Sequence, residues 1–179
     1  VMSKVGVLGA GSWGTALALL LFNNGHDVTV WSINKEEVEM LQKEREKKGK
    51  LPGVILPQEM KITNDLEESM KDKDLLVLAV PSIFTRSTAR SMKPYIQAGQ
   101  IIVNVAKGIE ENTLMTLSEQ IEDELPEADV AVLSGPSHAE EVGRGIPTTC
   151  VVGAKTRETA ELLQKAFMNE VFRVYTSSD

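Results

Sequence analysis

Short apolar runs alternate with helix-forming segments along the chain. The runs predicted as β-strands lie at residues 4–8, 27–31, 62–63, 74–80, 101–105, 130–133, 148–153 and 172–175. The segments predicted as helices lie at residues 15–23, 34–47, 65–70, 83–96, 113–124, 137–142 and 156–167. Glycine and proline mark residues 49–57 as a loop. Because strands that alternate with helices pair in parallel through right-handed crossovers, the pattern predicts an α/β fold.

The fourth predicted strand indicates how the sheet is covered. Residues 74–80 (DLLVLAV) form a continuous apolar run, which is typical of a strand buried on both faces. The last two predicted strands have short connections, so the sheet can become mixed at its C-terminal strands. We therefore predict a doubly wound, mostly parallel sheet.

A glycine-rich turn follows the first predicted strand. Residues 9–14 read GAGSWG, and a helix-forming run rich in alanine and leucine comes next. In this G-x-G-x-x-G motif Gly9 permits a tight turn, Gly11 lets a pyrophosphate approach the backbone, and Gly14 allows the helix to pack closely on the strand. The free N–H groups of the first helical turn then face the phosphates. The motif in this context predicts a Rossmann-like domain that binds NAD or NADP.

The end of the second predicted strand is the point at which such domains read the adenosine ribose. An acidic residue there would accept a hydrogen bond from the ribose 2′-hydroxyl and would repel a 2′-phosphate. This chain has Ser32, Ile33 and Asn34 at that point, and no acidic residue appears before Glu36. Ser32, Asn34 and Lys35 can donate to a 2′-phosphate, although Asn34 can equally serve only as a helix cap. NAD and NADP therefore both stay open.

Further candidate residues follow other predicted strands. Ligands of open α/β sheets bind at the carboxyl ends of the strands, so these residues are expected at the same edge as the glycine turn. Lys107 can hydrogen-bond a substrate oxygen or phosphate, or it can be a surface lysine in a turn. Gly135 can bring backbone amides near a ligand, and Ser137 can cap a helix with or without an anion beside it. Phe84 can pack against a cofactor ring or in the core.

Composition and charge exclude several classes of protein. A chain of 179 residues with 42% hydrophobic and 25% charged residues suits one globular domain. The net charge of −7 argues against a nucleic-acid surface, because no basic stripe is available. Cys150 is the single cysteine, so no internal disulfide can form and a reducing, cytoplasmic compartment is expected. No signal peptide, membrane span or metal site is predicted.

Six segments match, in order, the motifs of one enzyme family. They are GAGSWGTALA at residues 9–18, LPG at 51–53, AVPS at 79–82, AKGIE at 106–110, SGPSHAEEV at 134–142 and FRVYTSSD at 172–179. On these segments the chain resembles the bacterial NAD(P)-dependent glycerol-3-phosphate dehydrogenases. The last three are specific in combination, whereas most dinucleotide binders share the first. The resemblance implies hydride exchange between NAD(P)H and dihydroxyacetone phosphate, giving sn-glycerol 3-phosphate for glycerophospholipid synthesis.

The resemblance also implies site residues by position. It assigns cofactor contacts to Ser12, Trp13, Lys107 and Ala139, and substrate contacts to Lys107, Gly135 and Ser137. Together with the motif, the predicted cofactor site comprises Gly9, Gly11, Ser12, Trp13, Gly14, Ser32, Ile33, Asn34, Lys107 and Ala139. The family often has arginine or histidine at the position of Ile33, so the adenosine contact departs from the family pattern there.

The length of the chain is a larger departure from the family. A second, helical domain follows in the family and carries the lysine that accepts the proton of the substrate hydroxyl. This sequence stops at Asp179, before that lysine. We therefore expect residues 1–179 to be an NAD(P)-binding domain without a catalytic residue, which binds cofactor but turns over negligibly. The oligomeric state stays open, and a homodimer of the full-length enzyme is one option.

Two other functions are alternatives to this interpretation. A related dehydrogenase that acts on hydroxy acids or ketopantoate would share the glycine motif but not AKGIE followed by GPSHAEE. A non-enzymatic NAD(P)-sensing module would gate a partner through its cofactor domain. Lys107 and residues 135–137 argue against the sensor, because a sensor needs no substrate pocket.

Overall fold

A computed structural model describes residues 3–105, 111–135 and 138–177, with the side chains of residues 111–115 left out. Its strands are β1 (Lys4–Leu8), β2 (Asp27–Trp31), β3 (Glu46–Lys47), β4 (Leu51–Ile55), β5 (Lys61–Thr63), β6 (Leu75–Leu78), β7 (Ile101–Val105), β8 (Asp129–Ser134), β9 (Thr148–Gly153) and β10 (Phe172–Thr176). Its helices are α1 (Ser12–Asn23), α2 (Lys35–Glu44), α3 (Leu66–Met70), α4 (Thr85–Met92), α5 (Glu111–Glu124), α6 (Ala139–Gly143) and α7 (Arg157–Phe167). Single 3₁₀ turns at Ser82–Phe84 and Lys93–Tyr95 flank α4.

Within these ranges, eight strands form one sheet in the order β10-β9-β8-β7-β6-β1-β2-β5. Neighbouring strands are parallel, except that β8 and β9 are antiparallel. The connection from β8 to β9 contains only the short helix α6, so β9 starts at the edge of the sheet where β8 ends. The prediction of a doubly wound, mostly parallel sheet that becomes mixed at its C-terminal strands is confirmed.

Helices cover both faces of the sheet. Leu75 and Val77 of β6 belong to one buried cluster, to which α1, α2, α6 and α7 contribute side chains. Leu76 and Leu78 belong to a second cluster, which is built with residues of α3, α4 and α5. Because successive side chains of a strand point to opposite faces, this double burial explains why the sequence of β6 is continuously apolar.

The helix α1 is buried on almost all sides. It packs against the sheet, α6 and α7, and Leu17 and Leu21 are fully buried. It begins at Ser12, earlier than residue 15 as predicted, because Gly11 acts as its N-cap and accepts the N–H of Thr15 at 2.9 Å. The first helical turn therefore starts inside the glycine motif. No helix of the described ranges combines the length and apolarity needed to cross a membrane.

A small hairpin replaces the predicted loop at residues 49–57. The helix α2 ends at Glu44 rather than near residue 47, because Arg45 takes a left-handed conformation with φ 58° and its guanidinium donates to the carbonyls of Pro57 and Met60. The chain then forms β3 and β4, which pair antiparallel and lie outside the main sheet. The predictions for residues 45–47 and 49–57 were therefore wrong.

His26 ties the N-terminal strand to the last helix. Its Nδ1 accepts the N–H of Ser3 at 3.1 Å, so Nε2 carries the hydrogen and donates to the carbonyl of Ala166 at 3.1 Å. The side chain of Asn24 donates to the carbonyls of Ala166 and Phe167 beside it. These contacts fix the end of α1 to the end of α7, and they give His26 a structural role.

Candidate functional site

A cleft of about 320 Å³ opens at the carboxyl ends of β1, β2 and β6. It is lined by residues 9–11, residues 31–34 with Glu37, residues 80–81, Phe84, and residues 87–88. The glycine turn, the residues after β2 and the residues after β6 thus meet in one cleft. Lys107, which the sequence predicts at the same edge of the sheet, lies outside the described residues.

The three glycines of the turn differ in what a side chain at their position would contact. Gly9 has φ +123°, and a Cβ there would lie 2.6 Å from the carbonyl oxygen of Ala79. A Cβ on Gly14 would lie 2.2 Å from the carbonyl oxygen of Gly9. At Gly11, by contrast, no atom of the described residues lies within 4 Å of the Cβ position, and the residue lines the cleft. Gly9 and Gly14 therefore serve packing, and Gly11 leaves the backbone open to a ligand.

Ser12 and Trp13 lie in the first turn of α1, next to this opening. Trp13 is only 8% exposed, and its indole N–H has no hydrogen-bond partner among the described residues. A buried donor without a partner is unfavourable, and no described residue offsets that cost here. Both residues border the turn rather than line the cleft itself.

The tip of β2 carries a closed hydrogen-bond network. The hydroxyl of Ser32 donates to Oε1 of Glu37 at 3.1 Å and accepts the N–H of Asn34 at 3.1 Å. The side-chain oxygen of Asn34 accepts the N–H of Glu37 at 3.1 Å, so Asn34 is the N-cap of α2. A hydroxyl has one hydrogen to donate. In this conformation Ser32 therefore has no donor left for a 2′-phosphate.

Sequence reasoning missed two residues at this end of the cleft. Glu37 stands three positions after the N-cap Asn34, and this Asn-x-x-Glu spacing is the signal that could have placed its carboxylate back at the strand tip. Asn64 follows β5, the neighbour of β2, and its side chain donates to the carbonyls of Ser32 and Ile33 at 2.9 and 3.0 Å. It thereby fixes the backbone of Ile33, whose side chain is 82% exposed. No local pattern indicated this contact.

The opposite wall of the cleft comes from the start of α4. Phe84, 52% exposed, and residues 87–88 face the cleft. Behind them, Arg90 and Arg86 donate hydrogen bonds to the carboxylate of Glu124 on α5, and Lys93 pairs with it at 3.3 Å. These bonds lower the pKa of Glu124 from 4.5 to about 2. The charged cluster therefore fixes α4 against α5.

The residues predicted for the substrate lie further along the same sheet edge. A Cβ on Gly135 would lie 2.8 Å from the carbonyl oxygen of Thr149 and 2.9 Å from Sγ of Cys150, so glycine is needed where β8 passes β9. Ala139 is buried at the start of α6, which packs on α1. Neither residue lines the cleft, and Lys107 and Ser137 lie outside the described residues.

A second cleft, of about 370 Å³, opens where β9 and β10 begin. Its walls include residues 147–149, Glu141, Glu170 and Arg173. It shares no residue with the cleft at the glycine turn. The two clefts therefore provide distinct sites for comparison in binding experiments.

Comparisons with known proteins agree with this geometry. The family model "NAD-dependent glycerol-3-phosphate dehydrogenase N-terminus" matches residues 4–160. The chain is 65% identical over 178 residues to a glycerol-3-phosphate dehydrogenase (NAD(P)+) of Agathobacter rectalis, with 99% of this chain and 53% of that protein covered. It is 57% identical over 180 residues to the enzyme of the same name from Fusobacterium nucleatum, with 99% and 54% covered.

A solved structure shows the same fold. The crystal structure of glycerol-3-phosphate dehydrogenase from Coxiella burnetii matches with a TM-score of 0.90 at 33% identity and covers 99% of this chain and 55% of that one. The chain thus spans about half the length of the curated relatives it matches. Because the family model covers most of the sequence, the chain belongs to the family of NAD-dependent glycerol-3-phosphate dehydrogenases, whose N-terminal part it matches.

Proposed function

We propose that this chain is the cofactor-binding half of an enzyme that interconverts dihydroxyacetone phosphate and sn-glycerol 3-phosphate with NAD(H) or NADP(H). The observation that carries the proposal is the cleft in which an open glycine backbone at Gly11 meets the tip of β2 and the start of α4. This is the place where open α/β sheets bind dinucleotides. The family membership supports the same conclusion.

The residues of the cleft fit a dinucleotide. The backbone of Ala10 and Gly11 and the first turn of α1 offer N–H groups to the pyrophosphate, with Ser12 and Trp13 beside them. At the β2 end, Ser32, Ile33 and Asn34 form the wall for the adenosine. The exposed faces of Ile33 and Phe84 supply apolar surface for an adenine ring.

The substrate side of the proposal rests on the family resemblance. Lys107 would contact both cofactor and substrate, Gly135 and Ser137 would hold the glycerol phosphate, and Ala139 would lie against the cofactor. Support comes from Gly135 and Ala139, which follow β8 at the carboxyl edge of the sheet. When bound, the nicotinamide supplies or takes up a hydride at carbon 2 of the substrate. The role of this chain is to bind the cofactor and the substrate and to orient them relative to each other.

In the proposed enzyme, the N-terminal half binds the cofactor and the C-terminal half supplies the residue that accepts the proton. The lysine that accepts the proton of the substrate hydroxyl is expected beyond Asp179. The 179-residue chain is therefore expected to bind cofactor with negligible turnover. We further propose that the complete enzyme is cytoplasmic, supplies glycerophospholipid synthesis and acts with a partner subunit as a homodimer.

Two measurements test the proposed function. The first is a titration of the 179-residue chain with NADH and NADPH while tryptophan fluorescence is followed, because Trp31 lines the cleft and Trp13 borders it. A saturable change is expected, and its absence for both dinucleotides would overturn the proposal. The dissociation constants of the unmodified chain for NADH and NADPH are the reference values for its variants.

The second measurement uses the protein extended to the full length of its relatives. Its rate with dihydroxyacetone phosphate is compared with its rates on 2-keto and 3-hydroxy acids and on ketopantoate. Preference for dihydroxyacetone phosphate is expected. Preference for another substrate would favour a related dehydrogenase, and cofactor binding without turnover or competition by glycerol 3-phosphate would favour an NAD(P)-sensing module.

A further inference from the structure

The carboxylate of Glu37 occupies the cleft wall at the point where a ribose reader is expected. Glu37 lines the cleft together with Ser32 and Asn34, and its side chain is 26% exposed. Its Oε1 accepts a hydrogen bond from the hydroxyl of Ser32, and its backbone N–H donates to the side-chain oxygen Oδ1 of Asn34. An acidic group is thus present at the strand tip, although it comes from α2 rather than from the strand.

Among the described residues, the charge of Glu37 has one close counter-ion, Lys47. Nζ of Lys47 pairs with Oε2 of Glu37, and the side chain of Lys47 is only 9% exposed. Lys47 belongs to β3, and the hairpin it forms with β4 packs on α6 through Val54 and Gly143. The ammonium therefore pairs with Glu37 but does not line the cleft.

The hairpin is also fixed by polar contacts, which keep Lys47 in place. Arg144 donates to the carbonyl of Pro52 at 3.0 Å, and the carboxylate of Glu46 accepts the N–H of Gly53 at 2.9 Å. Breaking this ion pair costs free energy, because the ammonium of Lys47, whose side chain is 9% exposed, would then be left buried and unpaired. Lys47 is consequently a poor candidate to leave Glu37 for a ligand.

We propose that Glu37 is the residue that makes this site prefer NAD(H) over NADP(H), a proposal that rests on the proposed function. A carboxylate accepts hydrogen bonds from both hydroxyls of an unmodified adenosine ribose. A 2′-phosphate replaces one of these donors by a group of about −1.5 to −2 charge beside the carboxylate. With the hydroxyl of Ser32 and the ammonium of Lys47 both engaged by Glu37, the donors left for the phosphate among the described residues of this wall are the side-chain NH2 of Asn34 and the ammonium of the exposed Lys35.

The decisive quantity is the ratio of the dissociation constants for NADPH and NADH. The two cofactors share the pyrophosphate, the adenine and the nicotinamide, so the ratio isolates the contribution of the 2′-phosphate. We expect the wild-type chain to bind NADH about tenfold more tightly than NADPH. In Glu37→Gln the ratio falls by at least about tenfold, mainly because NADPH binds more tightly once the negative charge beside its 2′-phosphate is removed.

Two further variants complete the experiment. Lys47→Met leaves the charge of Glu37 uncompensated, so the ratio rises above the wild-type value by several-fold on the same electrostatic argument. Glu36→Gln is the matched control, because Glu36 is exposed in the same helical turn and does not line the cleft, and its ratio stays within about twofold of wild type. Because the Glu37 and Lys47 variants shift the ratio in opposite directions, a general loss of stability cannot imitate the result.

The dissociation constants are measured by tryptophan fluorescence and by isothermal titration calorimetry on the 179-residue chain. Equal ratios in wild type, Glu37→Gln and Glu36→Gln, or tighter binding of NADPH by the wild type, would overturn the role of Glu37 while leaving the proposed function intact. If neither cofactor binds the wild type, the proposed function fails and the role of Glu37 fails with it. If Glu37→Gln does not fold, the rise in ratio of Lys47→Met decides, and its absence overturns the proposal.

Discussion

Replacement of Gly11 by alanine should separate cofactor binding from folding. The backbone at Gly11 has φ −68° and ψ 178°, which alanine adopts without strain, and within the described part of the chain no atom lies within 4 Å of the added Cβ. Restricting the unfolded chain stabilises the fold by about 0.4–1 kcal/mol, and the loss of glycine at an N-cap offsets a similar amount. The free energy of unfolding should therefore change by less than about 1 kcal/mol.

The same methyl group should weaken cofactor binding. Gly11 lines the cleft, so the methyl occupies space through which a pyrophosphate would approach the backbone amides. A hydrogen bond to a charged group contributes about 1.5–3 kcal/mol. Loss of one such bond predicts that the dissociation constant for NADH rises by about ten- to a hundredfold.

Gly14→Ala is the matched comparison for Gly11→Ala. Its Cβ would lie 2.2 Å from the carbonyl oxygen of Gly9, so the turn must shift, and overpacking of this kind destabilises by about 1–3 kcal/mol. For a chain of this size that lowers Tm by roughly 2–4 °C for each kcal/mol. Thermal unfolding and the fluorescence titration measure both quantities. A Gly11→Ala variant that binds NADH as well as wild type would contradict the role of Gly11 in binding the pyrophosphate. A variant that loses stability like Gly14→Ala would contradict the conclusion that Gly11 does not serve packing.

Three further predictions concern stability. Asn34→Ala removes the N-cap of α2 and should lower the free energy of unfolding by about 1 kcal/mol in urea titrations, whereas Asn34→Asp should keep it. His26→Phe leaves the N–H of Ser3 and the carbonyl of Ala166 without their partner and should lower the free energy of unfolding by about 1–3 kcal/mol. An unchanged urea midpoint would contradict the structural role of His26. Because the pKa of Glu124 is depressed, its carboxylate stabilises the fold above about pH 4.5 and this contribution is lost as pH falls towards about 2. The Tm of Glu124→Gln should thus lie below wild type at pH 6, with a difference that shrinks below pH 4.5; a constant difference would contradict the assignment.

Local patterns in the sequence were sufficient for the sheet and the glycine turn. The strand β6 is apolar at every position because helices cover it on both faces, so its burial could be predicted from composition alone. The turn at residues 9–14 was predictable because the spacing of its glycines between a strand and a helix is visible in consecutive residues, although the contact that requires glycine at position 9 comes from Ala79. Both features leave a pattern in consecutive residues, and that pattern can be recognised in the sequence alone.

Features that depend on distant contacts were not predictable in this way. The hairpin of β3 and β4 forms because Arg45 ends α2 in a left-handed conformation and bonds to carbonyls further along the chain. The ribose end of the cleft combines Ser32, Glu37 and Asn64, which come from three different elements. Reading the tip of β2 alone showed no acidic residue, because the carboxylate reaches it from the first turn of the next helix.

An NMR titration of the ¹⁵N-labelled chain with NADH locates the cofactor site directly. The largest amide shift changes are expected at Gly9, Gly11, Ile33 and Phe84, which line the cleft at the carboxyl ends of β1, β2 and β6. Amides of the second cleft, such as that of Arg173, should shift little. Saturable changes centred on the second cleft, with the glycine turn unperturbed, would contradict the assignment of the cofactor site.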